Sequence, residues 1–178
     1  MINRVKEKIV EVKDFPKPGV GFKDITPLLQ DAYCFHYVID CIVSWAKEKK
    51  PQLVAGIESR GFVFAAPVAH RLNLGLALIR KKGKLPRKTL CVRAPNEYAI
   101  EYLEMHVDSI LPQQRVVIVD DLIATGSSSI SALDLVKKLG GEIAGYASVV
   151  DLKFLNGVGN IKKAYPDVDV FSLIHFEE

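Results

Sequence analysis

Val116-Val117-Ile118-Val119-Asp120-Asp121-Leu122-Ile123-Ala124-Thr125-Gly126-Ser127-Ser128 is the stretch that decides the fold. Four β-branched residues in a row, with no polar interruption, predict a buried strand. Two carboxylates end that strand, and a short turn then leads into a helix from about Ser128. A helix N-terminus offers unpaired N–H groups and the positive end of a dipole, both suited to phosphate. Gly126 lets the backbone approach a ligand closely, and the hydroxyls of Thr125, Ser127 and Ser128 can donate to phosphate oxygens. Asp120 and Asp121 are acceptors at the carboxyl end of a strand, where open α/β sheets bind ligands. Acceptors are wrong for phosphate but right for sugar hydroxyls. The combination therefore asks for a phosphorylated sugar. A plainer alternative is that Asp-Asp ends a strand and Thr-Gly-Ser-Ser caps a helix. The β-branched run ahead of the pair favours the ligand site. Walker A and GxGxxG patterns are both absent, so an ATPase or dinucleotide reading has no support.

Working outward, Leu53–Ile57, Leu76–Arg80, Glu142–Val150 and Asp169–Ile174 read as further strands. Helices are expected over about Gly61–Leu72 and Ser128–Leu139, with Gly140-Gly141 as the stop signal. Another spans roughly Asp31–Lys49, with Phe35, Ile39, Ile42, Val43 and Ala46 on one face. The spacing of Ile2, Val5, Ile9 and Val12 predicts an opening amphipathic helix. Phe15–Pro27, rich in proline and glycine, reads as an ordered loop. Continuous apolar strands alternating with helices argue for an α/β fold with an open, mostly parallel, twisted sheet flanked by helices. Lys81–Asn96 is polar, basic and without periodicity, so it reads as a loop with no core contact; loops of this length are commonly functional lids. Tyr98, Ile100, Tyr102 and Glu104 then alternate as a strand would. The 178 residues read as one domain, with at most a small hood built from the N-terminal segment and the lid.

Composition excludes several classes of function. Against 21 acidic residues stand 24 lysines and arginines, and the net charge of +3 is too weak and dispersed to argue for nucleic acid. No apolar run approaches the roughly 20 residues that span a bilayer. Met1–Asp14 has no signal-peptide core. Cys34, Cys41 and Cys91 are odd in number and lack CxxC spacing, as reduced cytosolic thiols would. His36, His70, His106 and His175 are far apart in sequence, so no protein metal cage is expected. A soluble, cytoplasmic protein is the expectation.

Residues 116–128 resemble the signature of the type I phosphoribosyltransferases, which bind phosphoribosyl pyrophosphate. The resemblance implies that Asp120 and Asp121 meet the ribose hydroxyls, and that Ala124, Thr125, Gly126, Ser127 and Ser128 hold the 5′-phosphate. Phe15–Pro27 resembles the base-binding loop of the adenine phosphoribosyltransferases. That implies a purine edge read around Val20, Gly21, Phe22 and Lys23, with the Phe22 ring as a stacking surface. Gly56-Ile57-Glu58-Ser59-Arg60-Gly61-Phe62 resembles the family's pyrophosphate loop, implying Ser59 and Arg60 on the leaving group. A guanidinium fork matches phosphate oxygens. Arg80–Pro86 with Glu97-Tyr98 resembles the catalytic hood. Arg80, Lys81 and Lys84 would then bind pyrophosphate, Glu97 would act as acid or base near purine N7, and Tyr98 would belong to a mobile lid over about 81–98.

The resemblance further implies salvage of adenine to AMP, with Mg²⁺ bound mainly through the donor rather than by protein ligands. It also implies a homodimer, since some hood cations reach the neighbouring subunit's site. Small-molecule substrates are the expected partners, with no nucleic acid and no membrane. Four departures stand out: Gly21 for a branched apolar residue, Lys23 for Arg, Ser127-Ser128-Ser129 for Gly-Thr-hydrophobic, and Ala99-Ile100 for Gly-Lys. Two alternatives stay open. One is the same chemistry on hypoxanthine, guanine or xanthine; the other is a nucleotide-sensing protein without turnover.

Overall fold

The structure is a computed structural model describing residues 1–19, 21–95 and 100–178. It divides into two compact units, Met1–Cys41 and Ile42–Glu178. The first unit holds α1 (Ile2–Glu7), β1 (Val10–Val12), β2 (Phe22–Asp24), α2 (Thr26–Gln30) and the start of α3 (Ala32–Glu48). β1 and β2 pair antiparallel, with Val12 opposite Phe22 and Val10 opposite Asp24. The opening helix is thus shorter than its apolar spacing predicts. It stops at Glu7 because Val10 and Val12 fit a strand that has a partner available. The segment expected as a loop supplies that partner. Asp31 begins α3 by accepting from the Cys34 N–H at 3.1 Å, and Arg4 binds the same carboxylate at 2.7 Å. The Arg4 contact, with the backbone bond behind it, pulls Asp31 down to about 2.

The second unit carries the remaining elements. They are β3 (Leu53–Ile57), α4 (Gly61–Leu72), β4 (Gly75–Lys81), β5 (Thr89–Pro95), β6 (Ile100–His106), β7 (Arg115–Ile123), α5 (Ser127–Lys138), β8 (Glu142–Leu152), α6 (Gly157–Ala164) and β9 (Val170–Phe176). Its seven-stranded sheet runs β5-β6-β4-β3-β7-β8-β9. The strands β4, β3, β7, β8 and β9 are parallel, whereas β6 runs antiparallel to β4 and β5 antiparallel to β6. Helices cover the sheet, so the expected α/β architecture is present. All five residues of β3 are buried, as a strand covered on both faces requires. On one face, Ala55, Ile57, Ile118 and Tyr146 pack with Leu133 and Val136 of α5 and Ile161 of α6. On the other, α4 packs against β3 and β7. The Trp45 ring of α3 stacks on Phe171 at 5.5 Å and its indole N–H donates to Asp169 at 3.0 Å.

Two expectations need correction. β7 does not end at the Asp120–Asp121 pair but continues to Ile123, so both aspartates lie inside a strand paired with β8. The Lys81–Asn96 stretch is not a plain loop. Thr89–Pro95 forms β5, which pairs with β6 from Thr89–His106 to Pro95–Ile100 and buries Val92 and Ala94. Its polar composition hid the strand because the residues between the buried ones face outward. Glu97 and Tyr98, together with Val20, lie outside the described residues.

Ile118 sits fully buried in the central strand. Ile118→Ala is expected to destabilise the protein by about 2–5 kcal/mol, read as a lower urea midpoint at unchanged slope.

Candidate active site

The carboxyl end of the parallel strands opens into one polar pocket. Ser59, Arg60, Lys81, Asp120, Asp121 and the turn Ala124, Thr125, Gly126, Ser127 and Ser128 all line it. Residues far apart in sequence thus meet, because β3, β4 and β7 are neighbours that run in one direction. Side chains alternate along a strand, so the two aspartates face opposite ways. Asp121 turns towards the start of α4, where Arg60 Nε lies 2.9 Å from its Oδ2. Asp120 turns towards α5 and β8, where the Tyr146 hydroxyl donates to its Oδ2 at 3.2 Å. Its Oδ1 accepts the Asp121 N–H at 2.9 Å.

Both carboxylates are nearly removed from water. Burial pushes the Asp120 pKa well up and the neighbouring Asp121 charge pushes it further, while the Tyr146 bond pulls it down. Burial also raises Asp121, against the opposing pull of the Arg60 guanidinium. Gly61 opens α4 directly against this pair. A Cβ there would stand 2.7 Å from Asp120 Oδ1, so only glycine lets the helix start so close.

The phosphate-type turn is held from beneath. Gly126 has φ +83°, and a Cβ would meet the Gly157 carbonyl at 2.7 Å. Asn160 of α6 donates to the Thr125 carbonyl at 3.0 Å. Thr125 and Ser127 hydroxyls lie 3.1 Å apart at the pocket wall. The turn therefore presents its N–H groups and hydroxyls at the start of the 12-residue helix α5, an anion-binding arrangement.

Arg80 and Lys84 are not among the pocket-lining residues. Arg80 instead forks onto Glu58, with both N–H···O distances 3.1 Å, and donates to the Lys84 carbonyl at 3.0 Å. In this state it organises the pocket wall. Glu58 also takes the Lys81 N–H at 3.0 Å. Burial acts to raise Glu58, but the Arg80 fork and that N–H outweigh it and leave its carboxyl below the ordinary range. The Glu58–Ser59 peptide is cis. Glu58, Leu122 and Ser129, which lie inside the quoted motifs without an assigned role, and Glu101 also line the pocket. Glu101 binds Lys81 at 3.0 Å across two strands, a register that no local pattern encodes. The turn 82–88 hangs on Glu104, whose buried carboxylate accepts the Lys84 and Leu85 N–H groups at 3.0 Å each and the Thr89 hydroxyl at 3.1 Å. In the first unit, Phe22 packs edge-on against Phe15 at 5.1 Å, and the buried Lys23 lies 3.2 Å from Glu11. Among the described residues no three His, Cys, Asp or Glu side chains gather as a metal cage, and no helix is long and apolar enough to cross a membrane.

The phosphoribosyl transferase domain family matches residues 35–178. The chain belongs to the phosphoribosyltransferase family. A curated adenine phosphoribosyltransferase of Caldicellulosiruptor saccharolyticus is 51% identical over 173 residues, covering 97% of each chain. The crystal structure of an adenine phosphoribosyltransferase from Thermoanaerobacter pseudethanolicus superposes with TM-score 0.92 at 43% identity, covering 99% of this chain and 100% of that one. The Saccharomyces cerevisiae enzyme, solved with an imino-altritol bisphosphate and adenine, has TM-score 0.88 at 31% identity and 97% coverage of both chains. Within the family the chain falls among the adenine phosphoribosyltransferases.

Glu104→Gln halves the anionic clamp beneath the 82–88 turn. Amide hydrogen exchange at Lys84 and Leu85 is expected to rise by about tenfold, since a hydrogen bond to a charged group is worth about 1.5–3 kcal/mol. Burial raises Glu104, yet the Leu85 N–H, the Thr89 hydroxyl and the Lys84 N–H leave it below the ordinary range. A lowered carboxyl stabilises fully above its unfolded pKa and lets go only as pH falls through the lowered value. Protection at these two amides is therefore expected to persist below the usual glutamate range in the native protein.

Proposed function

We propose that the chain moves the phosphoribosyl group of phosphoribosyl pyrophosphate onto adenine, forming AMP and pyrophosphate in purine salvage. The observation that carries this reading is the meeting, in one pocket, of a buried acceptor pair with a turn of phosphate-type donors. Asp120 and Asp121 suit the ribose hydroxyls, and Ala124–Ser128 suit the 5′-phosphate. Arg60, on the opposite wall with Ser59, suits the pyrophosphate. In the reaction a purine nitrogen bonds to the anomeric carbon as the bond to pyrophosphate breaks. The bonding electrons leave with pyrophosphate, and the purine N–H proton is lost. Preorganised donors on the leaving group and exclusion of water are what such a site supplies. Glu97 is the candidate acid or base.

The carboxylates and hydroxyls of the pocket fit a cation that arrives on the donor's own oxygens. Mg²⁺ held there through the donor would supply charge neutralisation on the pyrophosphate. The active form is a homodimer, a reading supported by Leu76 and Leu78, which stay exposed on the α4 side of β4. Free thiols at Cys34, Cys41 and Cys91 agree with a reducing, cytoplasmic setting.

Adenine, rather than a 6-oxopurine, rests on the identity with relatives named adenine phosphoribosyltransferases. Adenine offers an amine donor and a bare N1, whereas hypoxanthine and guanine reverse that edge. Each mismatched buried polar group costs about 1–3 kcal/mol, so a preference on the order of 10²-fold is expected. Pyrophosphate release measured with adenine, hypoxanthine and guanine under saturating donor and Mg²⁺ tests this. Equal or better turnover of a 6-oxopurine would overturn the adenine reading.

Replacing Asp120 and Asp121 together by Asn is expected to lower donor kcat/KM at least tenfold in a folded protein. Donor use is also expected to fall on the acid side at a higher pH than ordinary aspartates would give, because burial raises both carboxyls and protonation removes the charge that makes each a strong acceptor. Arg60→Lys keeps the charge but loses the fork, so donor KM is expected to rise, and Arg60→Ala to raise it more. Wild-type kinetics in both Arg60 variants would mean that pyrophosphate is held elsewhere.

A further inference from the structure

Tyr146 is the largest fully buried side chain among the described residues, and its hydroxyl lies in the layer between the sheet and α5. It stands on β8 opposite Ile118, two residues before the register position of Asp120. A period of two on neighbouring parallel strands puts Tyr146 and Asp120 on the same face. Ser129, in the first turn of α5, is equally buried. Its hydroxyl donates to the Tyr146 oxygen at 2.9 Å, and the phenol donates to Asp120 Oδ2 at 3.2 Å.

The polarity of this chain is set by its end. An ionised carboxylate only accepts, so the phenol proton must go to Asp120 and the phenol oxygen is left to accept from Ser129. The chain ties three separate elements to one oxygen of one carboxylate. The other oxygen is already held by the Asp121 N–H. Asp120 thus has its rotamer fixed from beneath, while lone pairs remain for a ligand in the pocket it lines. A core tyrosine needs a hydrogen-bond partner for its hydroxyl, but it does not need that partner to be a pocket carboxylate.

We propose that Tyr146 and Ser129 are positioning residues for the sugar subsite: Ser129 orients the Tyr146 phenol, and the phenol holds the Asp120 carboxylate in place for the ribose hydroxyls. This rests on Asp120 being a ribose acceptor. The phenol also acts on charge. Burial and Asp121 favour the protonated form of Asp120, and the phenol bond opposes them. The other charged groups at the pocket are Asp121 on the same strand, Arg60 ahead of α4, Glu58 after β3, Lys81 at the end of β4 and Glu101 on β6. Of these, Arg60 is paired to Asp121, Glu58 to Arg80 and Lys81 to Glu101. The α5 and β8 side presents Ser129 and Tyr146 to Asp120.

The test compares Tyr146→Phe, Ser129→Ala, the double variant and Asp120→Asn with the wild type, following donor KM, base KM, the pH profile of donor kcat/KM and the urea midpoint. Tyr146→Phe keeps the ring and is expected to raise donor KM by about tenfold, the loss of one hydrogen bond to a charged group, with base KM unchanged. The acid limb of the profile is expected to move to higher pH, because an anion with one donor fewer protonates earlier. Ser129→Ala should shift both readouts the same way by less. The double variant should match Tyr146→Phe in kinetics yet recover urea stability, since no buried hydroxyl is then left without a partner. Should Tyr146→Phe fail to fold, the KM and acid limb of Ser129→Ala decide, and wild-type values there overturn the proposal. An impaired Asp120→Asn beside a wild-type Tyr146→Phe overturns the proposal but keeps the sugar site. A wild-type Asp120→Asn removes the sugar site and this proposal with it.

Discussion

The constraint on which the rest depends is that two adjacent carboxylates are buried inside a sheet. Asp120 and Asp121 are buried, and the Asp121 charge adds to the difficulty of ionising Asp120. An isolated buried carboxylate would simply take a proton. Strand geometry relieves the conflict by sending the two side chains to opposite faces. Each then meets its own partner, Arg60 on the α4 side and Tyr146 on the α5 side. The flanking helices therefore do more than cover apolar surface. One has a cation just ahead of its first turn, and the other brings the Ser129 hydroxyl that donates to Tyr146.

The phosphate turn follows from the same arrangement. α5 must start within reach of Asp120, so the chain has to turn sharply between Ile123 and Ser127. Gly126 takes the positive φ that this turn demands, and α6 closes against it so tightly that a side chain would strike the Gly157 carbonyl. Arg60 pairs with the buried Asp121 while its own side chain, 38% exposed, stays at the pocket wall.

The antiparallel edge shows a second use of a buried carboxylate. Glu104 lies in β6, beyond the pocket, and spends its oxygens on the 82–88 turn and Thr89. The turn bearing Lys84 is thereby tied to the sheet, while Arg80 ties the same turn to Glu58. The basic run is anchored at its base by two opposite charges rather than left as a free polar loop. Its strand β5 reaches the core through Val92 and Ala94 and receives Ser131 of α5 at the Arg93 carbonyl.

Residues 116–128, with the apolar runs and helical stretches on either side, were enough to read a mostly parallel α/β sheet. A β-branched run, an acidic pair and a Thr-Gly turn are local features, and local sterics and dipoles dictate what they do. The bounds of β3 and α4 were legible for the same reason. What the chain could not show locally was pairing. The end of α1 at Glu7 and the strand over Thr89–Pro95 exist because another strand lies alongside, and cross-strand partners leave no periodic trace in a short polar segment. Likewise Arg80 was legible as a cation but not as the partner of Glu58, and Tyr146 only as an aromatic residue in a strand. Only tertiary structure decided that Ser129, Tyr146 and Asp120 form one chain of hydrogen bonds. They come from a helix and two strands, and their meeting depends on sheet register, which is a property of neighbours rather than of sequence.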